Sequence, residues 1–558
     1  MTGSSPCFHT SWSGRPGWAA LIVLAWTLLA SCSRPDATTD STVAEGGPAY
    51  GDTLVQASIG DISGLIPNIT SDSSSHDIGG LIYSALVRTD KELRVEGELA
   101  ERWEISPDEL TITFHLRRGV KWHDGEEVTA EDVDFTYRYM VDPKTPTAYG
   151  EPFRQVQKVE VVDRYTYRVT YEKPYAPALL SWGIWILPRH ILEAAWKGGV
   201  DLRTTRQNRH PIGSGPYRFV EWKTGEKVVL ERNPDYFEGR PYLKRVVYRI
   251  IPDQSTIFLE LKATNIDMAV LTPIQFRRQT DYPAFRKSFN RYQYLSNGYA
   301  YLGFNLLDPR FQDKRVRQAM AHAIDKREII EGVLLGLGRP AVGPYKPGTW
   351  WYRDDVKTFP FDPERARALL AEAGWKDKNA NGILLRDGKP FTFTIRTNQG
   401  NLVRQQTAEI IQRRLRAVGI DARIHVVEWA AFLNTFIRKK DFEAIILGWG
   451  LGLDPDQYDI WHSSKTGPDE LNHISYKNPK VDELLEAGRR TFSEEKRRAI
   501  YGALQDLLAE EQPIVFLYVP DALPVVSSRV RGIEPAPAGI SYNFIKWYVP
   551  APLQRYTR

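Results

Sequence analysis

The chain has 558 residues, 42% of them hydrophobic and 12% aromatic, enough to bury a large core and more than one simple domain uses, so two or three domains are expected. Its 73 basic and 69 acidic residues leave a net charge of +4, without the basic footprint of a nucleic-acid binder. Only two cysteines occur, Cys7 and Cys32, both ahead of the globular part, which excludes a structural disulfide or a cysteine metal site there.

Taken in chain order, the apolar run Trp18–Ala30 (WAALIVLAWTLLA) is shorter than the roughly 20 residues a spanning helix needs and reads as the core of a signal peptide. Leu29-Ala30-Ser31-Cys32 resembles the lipobox of bacterial lipoproteins. That resemblance implies removal of residues 1–31 and lipidation of Cys32, with two or three acyl chains holding the protein to the membrane at about 0.8 kcal/mol per buried methylene. Residues 32–51, rich in Ser, Thr, Pro, Gly and Ala, read as a flexible tether.

Two-residue alternation predicts strands at Leu110–Leu116, across Lys158–Tyr171 around an Asp163-Arg164 turn, at Lys227–Glu231 and at Val246–Ile251. After the first of these come a turn at Gly119, an exposed turn at His123-Asp124-Gly125, and a helix capped by Thr129 with Asp132 three residues on. Val316–Ile330 reads as one surface helix with Val316, Ala319, Met320, Ala323 and Ile324 on its apolar face and charges opposite. A further helix starts at Asp362-Pro363 and stops at Gly374. Val403–Val418 is a helix ending at Gly419 and leading into the strand Asp421–Val427, and Val481–Arg490 and Glu494–Glu511 add two more helices. No later stretch of 18 apolar residues occurs.

The segment Leu99–Tyr139 (LAERWEISPDELTITFHLRRGVKWHDGEEVTAEDVDFTYRY) resembles the signature region of extracellular solute-binding protein family 5, the oligopeptide and dipeptide binding components of ABC importers. GSGPYRF at 213–219, YLGFN at 301–305, FDPERARALLAEAGW at 361–375 and LGWGLGLDPDQY at 447–458 continue it in order. The resemblance implies an α/β fold of the type II (class C) periplasmic-binding-protein kind, with two lobes and hinge strands. It divides the chain into lobe one at 52–293, including an inserted subdomain at roughly 84–205, lobe two at 294–515, and a return segment at 516–558 that completes a discontinuous lobe one. The crossings fall near Arg291–Ser296 and Pro513–Val519. The implied partners are a peptide or other small ligand, the permease and ATPase subunits of the importer, and the membrane through the lipid. The location is extracytoplasmic, a monomer is favoured, and no cofactor is called for.

Enzymatic signatures are not met. GSG at Gly213–Gly215 lacks the full GxSxG pattern and precedes Pro216; the loose GxGxxA of Gly336, Gly338 and Ala341 opens no helix, and no GxxxxGK[ST] or HExxH occurs. Residues 377–388 begin like a calcium loop, but position twelve is Gly388 rather than Glu, leaving a polar hairpin as the alternative. In the family, an aspartate in the loop after the GW tryptophan pairs with the ligand's amine. Here Asp454 is either that anchor or the cap of the turn made with Pro455. Trp449, Tyr458 and Trp461 are the aromatic ligand candidates and Asn297 and Asn305 the polar ones. A peptide is the leading ligand. A sugar oligomer, an opine or a metal chelate, an exported hydrolase on the same scaffold, and a transporter-independent peptide sensor or chaperone are the alternatives.

Overall fold

The computed structural model describes residues 46–556; the signal segment, Cys32 and the tether up to residue 45 lie outside them. Two large sheets organise the molecule into two α/β lobes. The first has the order Phe289–Arg291, Pro524–Ser527, Met268–Val270, Gly51–Ser58, Leu243–Ile250, Lys227–Arg232, Tyr217–Lys223. The second runs Tyr294–Leu295, Ile514–Ala522, Gly298–Phe304, Ala444–Gly450, Thr392–Asn398, Asp421–Val427, with Gly338–Pro340 on the side of Ile514–Ala522. A four-stranded antiparallel sheet, Ala100–Ile105, Thr111–Leu116, Thr166–Tyr171, Val156–Asp163, packs beside the first lobe around Trp182, whose ring meets Phe114, Phe153 and Tyr167 at 5.7, 5.2 and 5.6 Å.

The chain leaves the first sheet after Arg291 and enters the second at Tyr294; it returns between Ala522 and Pro524. The return falls beyond Pro513–Val519 because Ile514–Ala522 stays in the second sheet to its last residue. The two crossings are bonded to each other, Tyr292 N donating to Pro524 O at 2.9 Å and Gln293 Nε2 to Asp521 Oδ2 at 2.7 Å. A paired crossing of this kind lets two rigid bodies turn about one short ribbon. The returning segment is tied to the start of the first lobe by buried Arg529, which donates to Asp267 at 2.8 and 2.6 Å and also pairs with Asp52.

Most expected elements form where the local pattern puts them. Asp362 accepts from Arg365 N at 2.9 Å and Gly374 stops its helix at φ +92°; Leu402–Ala417, Asp421–Val427 and Glu494–Glu511 follow. Thr129 and Asp132 make a reciprocal capping box.

Val316–Ile330 is not one surface helix. It breaks into Lys314–Ala323 and Lys326–Gly332, because Ile324 turns extended and Asp325 caps the second piece through Arg327 N and Glu328 N at 3.0 and 3.3 Å. The charges are not all solvated either. Arg317 is buried and donates to the last carbonyls of the helix Glu494–Glu511, including Glu511 O at 2.8 Å, the end of a helix where a cation is favoured.

The turn at His123 is exposed at Asp124 and Gly125, as expected, but the histidine itself points inward: its Nδ1 accepts from Gly213 N at 3.2 Å, its Nε2 meets Gly215 O at 3.0 Å, and burial holds the imidazole neutral, near a pKa of about 4. This straps down the GSG loop, where a Cβ on Gly213 would lie 1.9 Å from Ile82 O. Residues 377–390 form a small three-stranded hairpin in which Asn379 Oδ1 accepts from Asn381 N and Ile383 N at 3.0 Å each, the polar alternative to a calcium loop. Among the described residues no helix is long and apolar enough to cross a membrane.

Candidate ligand-binding cleft

The lobes meet on two sides of the hinge. At one side Leu402 N donates to Gln254 Oε1 at 2.9 Å, and Trp429 closes on Gly60 so tightly that a Cβ there would be 3.0 Å from its ring. At the other, Glu151 of the first lobe bonds Lys465 Nζ at 3.0 Å, and Ala176 N donates to Arg489 O at 2.7 Å. Lys465 and Arg489 are both buried, and with Asp456, Asp459 and Glu470 they make a network that spans the seam. Asp459 is pushed up to about 7, chiefly by burial. The candidate cleft is taken between these two seams, where the facing walls of the lobes meet.

The first lobe's wall is the start of helix Ser73–Ile82. His76 packs at a tilt against Trp185 and Tyr149 at 5.3 and 5.7 Å, and Tyr149 feels Asp72 from its own lobe and Asp459 from the other, which places it at the junction. Asp77 is exposed, yet burial and the neighbouring Asp72 raise it to about 6. A side chain open to water and still desolvated sits in a concavity. No cation contributes to its environment.

On the second lobe, Arg404 occupies the first turn of Leu402–Ala417, with Nη1 on Asn398 Oδ1 at 2.8 Å. Its guanidinium lies against the bare backbone of Gly448, whose Cβ would be 3.2 Å from Nη2, so the glycine before Trp449 leaves it room. Burial pulls its pKa below the usual guanidinium value, opposed only by Tyr518 and Tyr301; among the described residues no carboxylate lies within ion-pair distance. Half-buried Trp449 stacks on Tyr301 and His473 at 6.3 and 5.3 Å. His473 is held neutral by burial, near about 3. Among the described residues Asp77 on the first lobe and Arg404 on the second are thus two charges of opposite sign without an ion-pair partner.

The expected site residues separate. Trp449 stands beside Gly448 and Arg404. Asn297 clamps the loop after it, Nδ2 donating to Leu451 O at 2.6 Å, and shares with Asp454 a cavity of about 40 Å³ lined wholly by the second lobe, little more than the volume of one water at about 30 Å³. Asp454 caps its own turn, accepting from Asp456 N at 2.9 Å, and pairs with Arg497 at 2.5 Å; Asp456 pairs with Arg489 at 2.7 Å. Asp456 is engaged on both oxygens, Oδ1 by Tyr458 N and Oδ2 by Arg489, whereas both partners of Asp454 use its Oδ1. Trp461 is 1% exposed with its indole N–H on Gln457, and belongs to the core. Asn305 is buried with Nδ2 on Lys440 O and Phe442 O, a loop anchor rather than a ligand residue. Tyr458 lies under Arg489 at 3.7 Å at the seam. Sequence reasoning missed Asp77, Arg404 and Lys465, since each looks like a solvated helix or loop charge until its partners are seen to be absent or to come from the other lobe.

A family model described as bacterial extracellular solute-binding proteins, family 5 Middle, matches residues 94–470. The oligopeptide-binding protein AppA of Bacillus subtilis (strain 168) is 36% identical over 545 residues, 95% of this chain and 98% of that protein. The solved structure of AppA from Bacillus subtilis in complex with a nonapeptide superposes with a TM-score of 0.84 at 35% identity, covering 90% of this chain and 99% of that one. NikZ from Campylobacter jejuni in complex with Ni(L-His) gives a TM-score of 0.80 at 30% identity, with 89% and 99% covered.

Proposed function

We propose, from the premise that this chain belongs to the bacterial extracellular solute-binding proteins of family 5, that it captures peptides between its lobes and hands them to the permease of an ABC importer. It is a binding protein that works outside the cytoplasm, and not an enzyme. The observation that carries the peptide reading is the pair of unmatched charges on opposite walls, Asp77 and Arg404. A peptide brings an ammonium to the first and a carboxylate to the second, and its apolar side chains find Trp449, Trp185 and Tyr149. The match to a relative solved with a nonapeptide supports the same ligand class.

Such a ligand touches both lobes only when they are closed, so its binding shifts the population toward the closed form, which a permease can recognise. In this reading residues 1–31 are a signal peptide, Cys32 carries the lipid, and the monomer is tethered through 32–51. Lobe one is 52–293 with a return segment beyond the crossing at 522–524, the subdomain at roughly 84–205 is inserted into it, and lobe two lies between the crossings.

A metal chelate is the second reading, favoured by the likeness to a protein solved with Ni(L-His). Melting the protein with peptide pools, nickel–histidine, oligosaccharides or opines separates the classes, because a ligand at a hundredfold excess over its Kd stabilises the folded form by about 2.7 kcal/mol. A rise with peptides alone is expected. A rise only with another class would overturn the peptide assignment, and peptide binding without uptake through any co-reconstituted permease would point to a sensor or chaperone instead.

A further inference from the structure

The parallel strands Gly51–Ser58 and Leu243–Ile250 of the first lobe both run toward the seam. There Gly60 meets the ring of Trp429, and Pro252 O lies 2.8 Å from the position of a Cβ on Gly400. Both strands start at the opposite end of the lobe. Each has 8 residues, so at roughly 3.3 Å per residue that end is about 26 Å from the seam.

The far end carries exposed aromatic, apolar and cationic side chains. Tyr50 is 52% exposed and stacks on Tyr242 at 4.8 Å, with the guanidinium groups of Arg240 and Arg232 at 4.9 and 5.6 Å from the centre of its ring. Exposed Leu553 is beside it: Gln554 Nε2 donates to Tyr50 O at 3.4 Å, and a Cβ on Gly46 would lie 3.6 Å from Pro552. Exposed Arg555 follows, its backbone N on Asp52 at 3.2 Å. Arg232 and Arg555 donate to carbonyl oxygens, those of Tyr242 and Thr264. Among the described residues no carboxylate lies within ion-pair distance of Arg232, Arg240 or Arg555. The acids nearby in sequence are engaged, Asp52 by Arg529, Glu238 by Arg88 and Glu231 by Arg245. Arg240 in turn disfavours the charge on Arg232, a repulsion that an anion beside them would relieve. Guanidinium forks match phosphate oxygens, and tyrosine rings favour the headgroup level of a membrane.

We propose that this end of the first lobe rests on an anionic phospholipid surface, with Arg232, Arg240 and Arg555 on headgroup phosphates and Tyr50 and Leu553 among them. The attachment rests on the reading in which Cys32 carries a lipid. Gly46 comes 14 residues after Cys32, a reach of at most about 50 Å. Confinement at that range populates a contact too weak to hold a free protein. Seated in this way, the protein keeps its seam about 26 Å from the headgroups, with the cleft open to the solvent that brings ligand. Delivery to a permease requires this end to lift, which the same reach permits.

The test is hydrogen exchange on the full chain with excess vesicles of phosphatidylcholine, with or without phosphatidylglycerol. Wild type is compared with Arg232→Gln/Arg240→Gln and with Arg327→Gln/Lys439→Gln, which removes the same charge from exposed positions of the second lobe. A cation near an anionic surface strengthens attachment about fivefold, so phosphatidylglycerol is expected to slow exchange in segments 46–50 and 551–555 by roughly threefold or more in wild type and in the second-lobe variant. No slowing is expected in Arg232→Gln/Arg240→Gln or at high salt. Equal exchange with the two lipid compositions, or slowing that survives in Arg232→Gln/Arg240→Gln, overturns the contact. Mass spectrometry of the mature chain reads the anchor separately: if Cys32 carries no acyl group, the tether reading fails, while the exchange comparison still decides this face.

Discussion

Among the described residues neither Asp77 nor Arg404 has a counter-charge within ion-pair distance, and each makes a separate demand on the ligand. Replacing Arg404 with Gln removes a charged hydrogen-bond donor, so peptides with a free carboxylate are expected to bind more weakly by about 1.5–3 kcal/mol, roughly ten- to a hundredfold; amidated peptides should be much less affected when the two series are compared by calorimetry. Asp77 predicts a pH dependence. Its carboxyl, raised to about 6 in the empty cleft, must be ionised to hold an ammonium, so affinity is expected to fall as pH drops through 6, and the Kd of Asp77→Asn to stay flat from pH 5 to 8. For the empty protein the sign is reversed. A carboxyl whose pKa is raised by folding binds its proton more tightly when folded, so its contribution to stability grows as pH falls from above 6 to below 4.

At the scale of elements, short polar residues decide where helices begin and end. Asp325 interrupts what periodicity alone presents as one helix, and its carboxylate holds two backbone donors at the new start. Asp325→Ala is expected to cost about 1 kcal/mol in denaturant unfolding without loss of fold. Gly213 is constrained by space: with Ile82 O 1.9 Å from the position of a Cβ, Gly213→Ala must displace either the loop or the end of helix Ser73–Ile82. A lowered melting temperature together with weaker ligand binding is expected, since that helix carries Asp77. The signature region therefore serves the cleft indirectly, through His123 holding the loop that abuts this helix.

For the molecule as a whole, the closed form depends on charges that are distant in sequence. Glu151 and Lys465 are 314 residues apart and meet at 3.0 Å across the seam, with Lys465 almost wholly buried. Removing one member of a buried pair leaves the other without full compensation, typically about 3–5 kcal/mol; Asp459 and Glu470, at 3.6 and 3.5 Å from Lys465, should hold the loss to the lower end. Glu151→Gln is thus expected to favour the open form, seen as a larger radius of gyration by small-angle scattering and faster ligand release. Unchanged scattering and release rates would show that closure does not depend on this pair.

By itself the sequence determined the family, the mixed α/β character and most elements, because caps such as Asp362, stops such as Gly374 and Gly419, and strand alternation act over a few residues. It also located the aromatic loop around Trp449. Only the tertiary structure decided which charges are free. Asp454 and Asp456 look unpaired in their loop and pair with Arg497 and Arg489 from helices further along the chain, whereas Asp77 and Arg404, ordinary surface charges in a helical pattern, have no ion-pair partner among the described residues. The physical reason is that an ion pair or a desolvated carboxylate is set by what folding brings within a few ångströms, and in this protein those neighbours come from other parts of the chain and often from the other lobe.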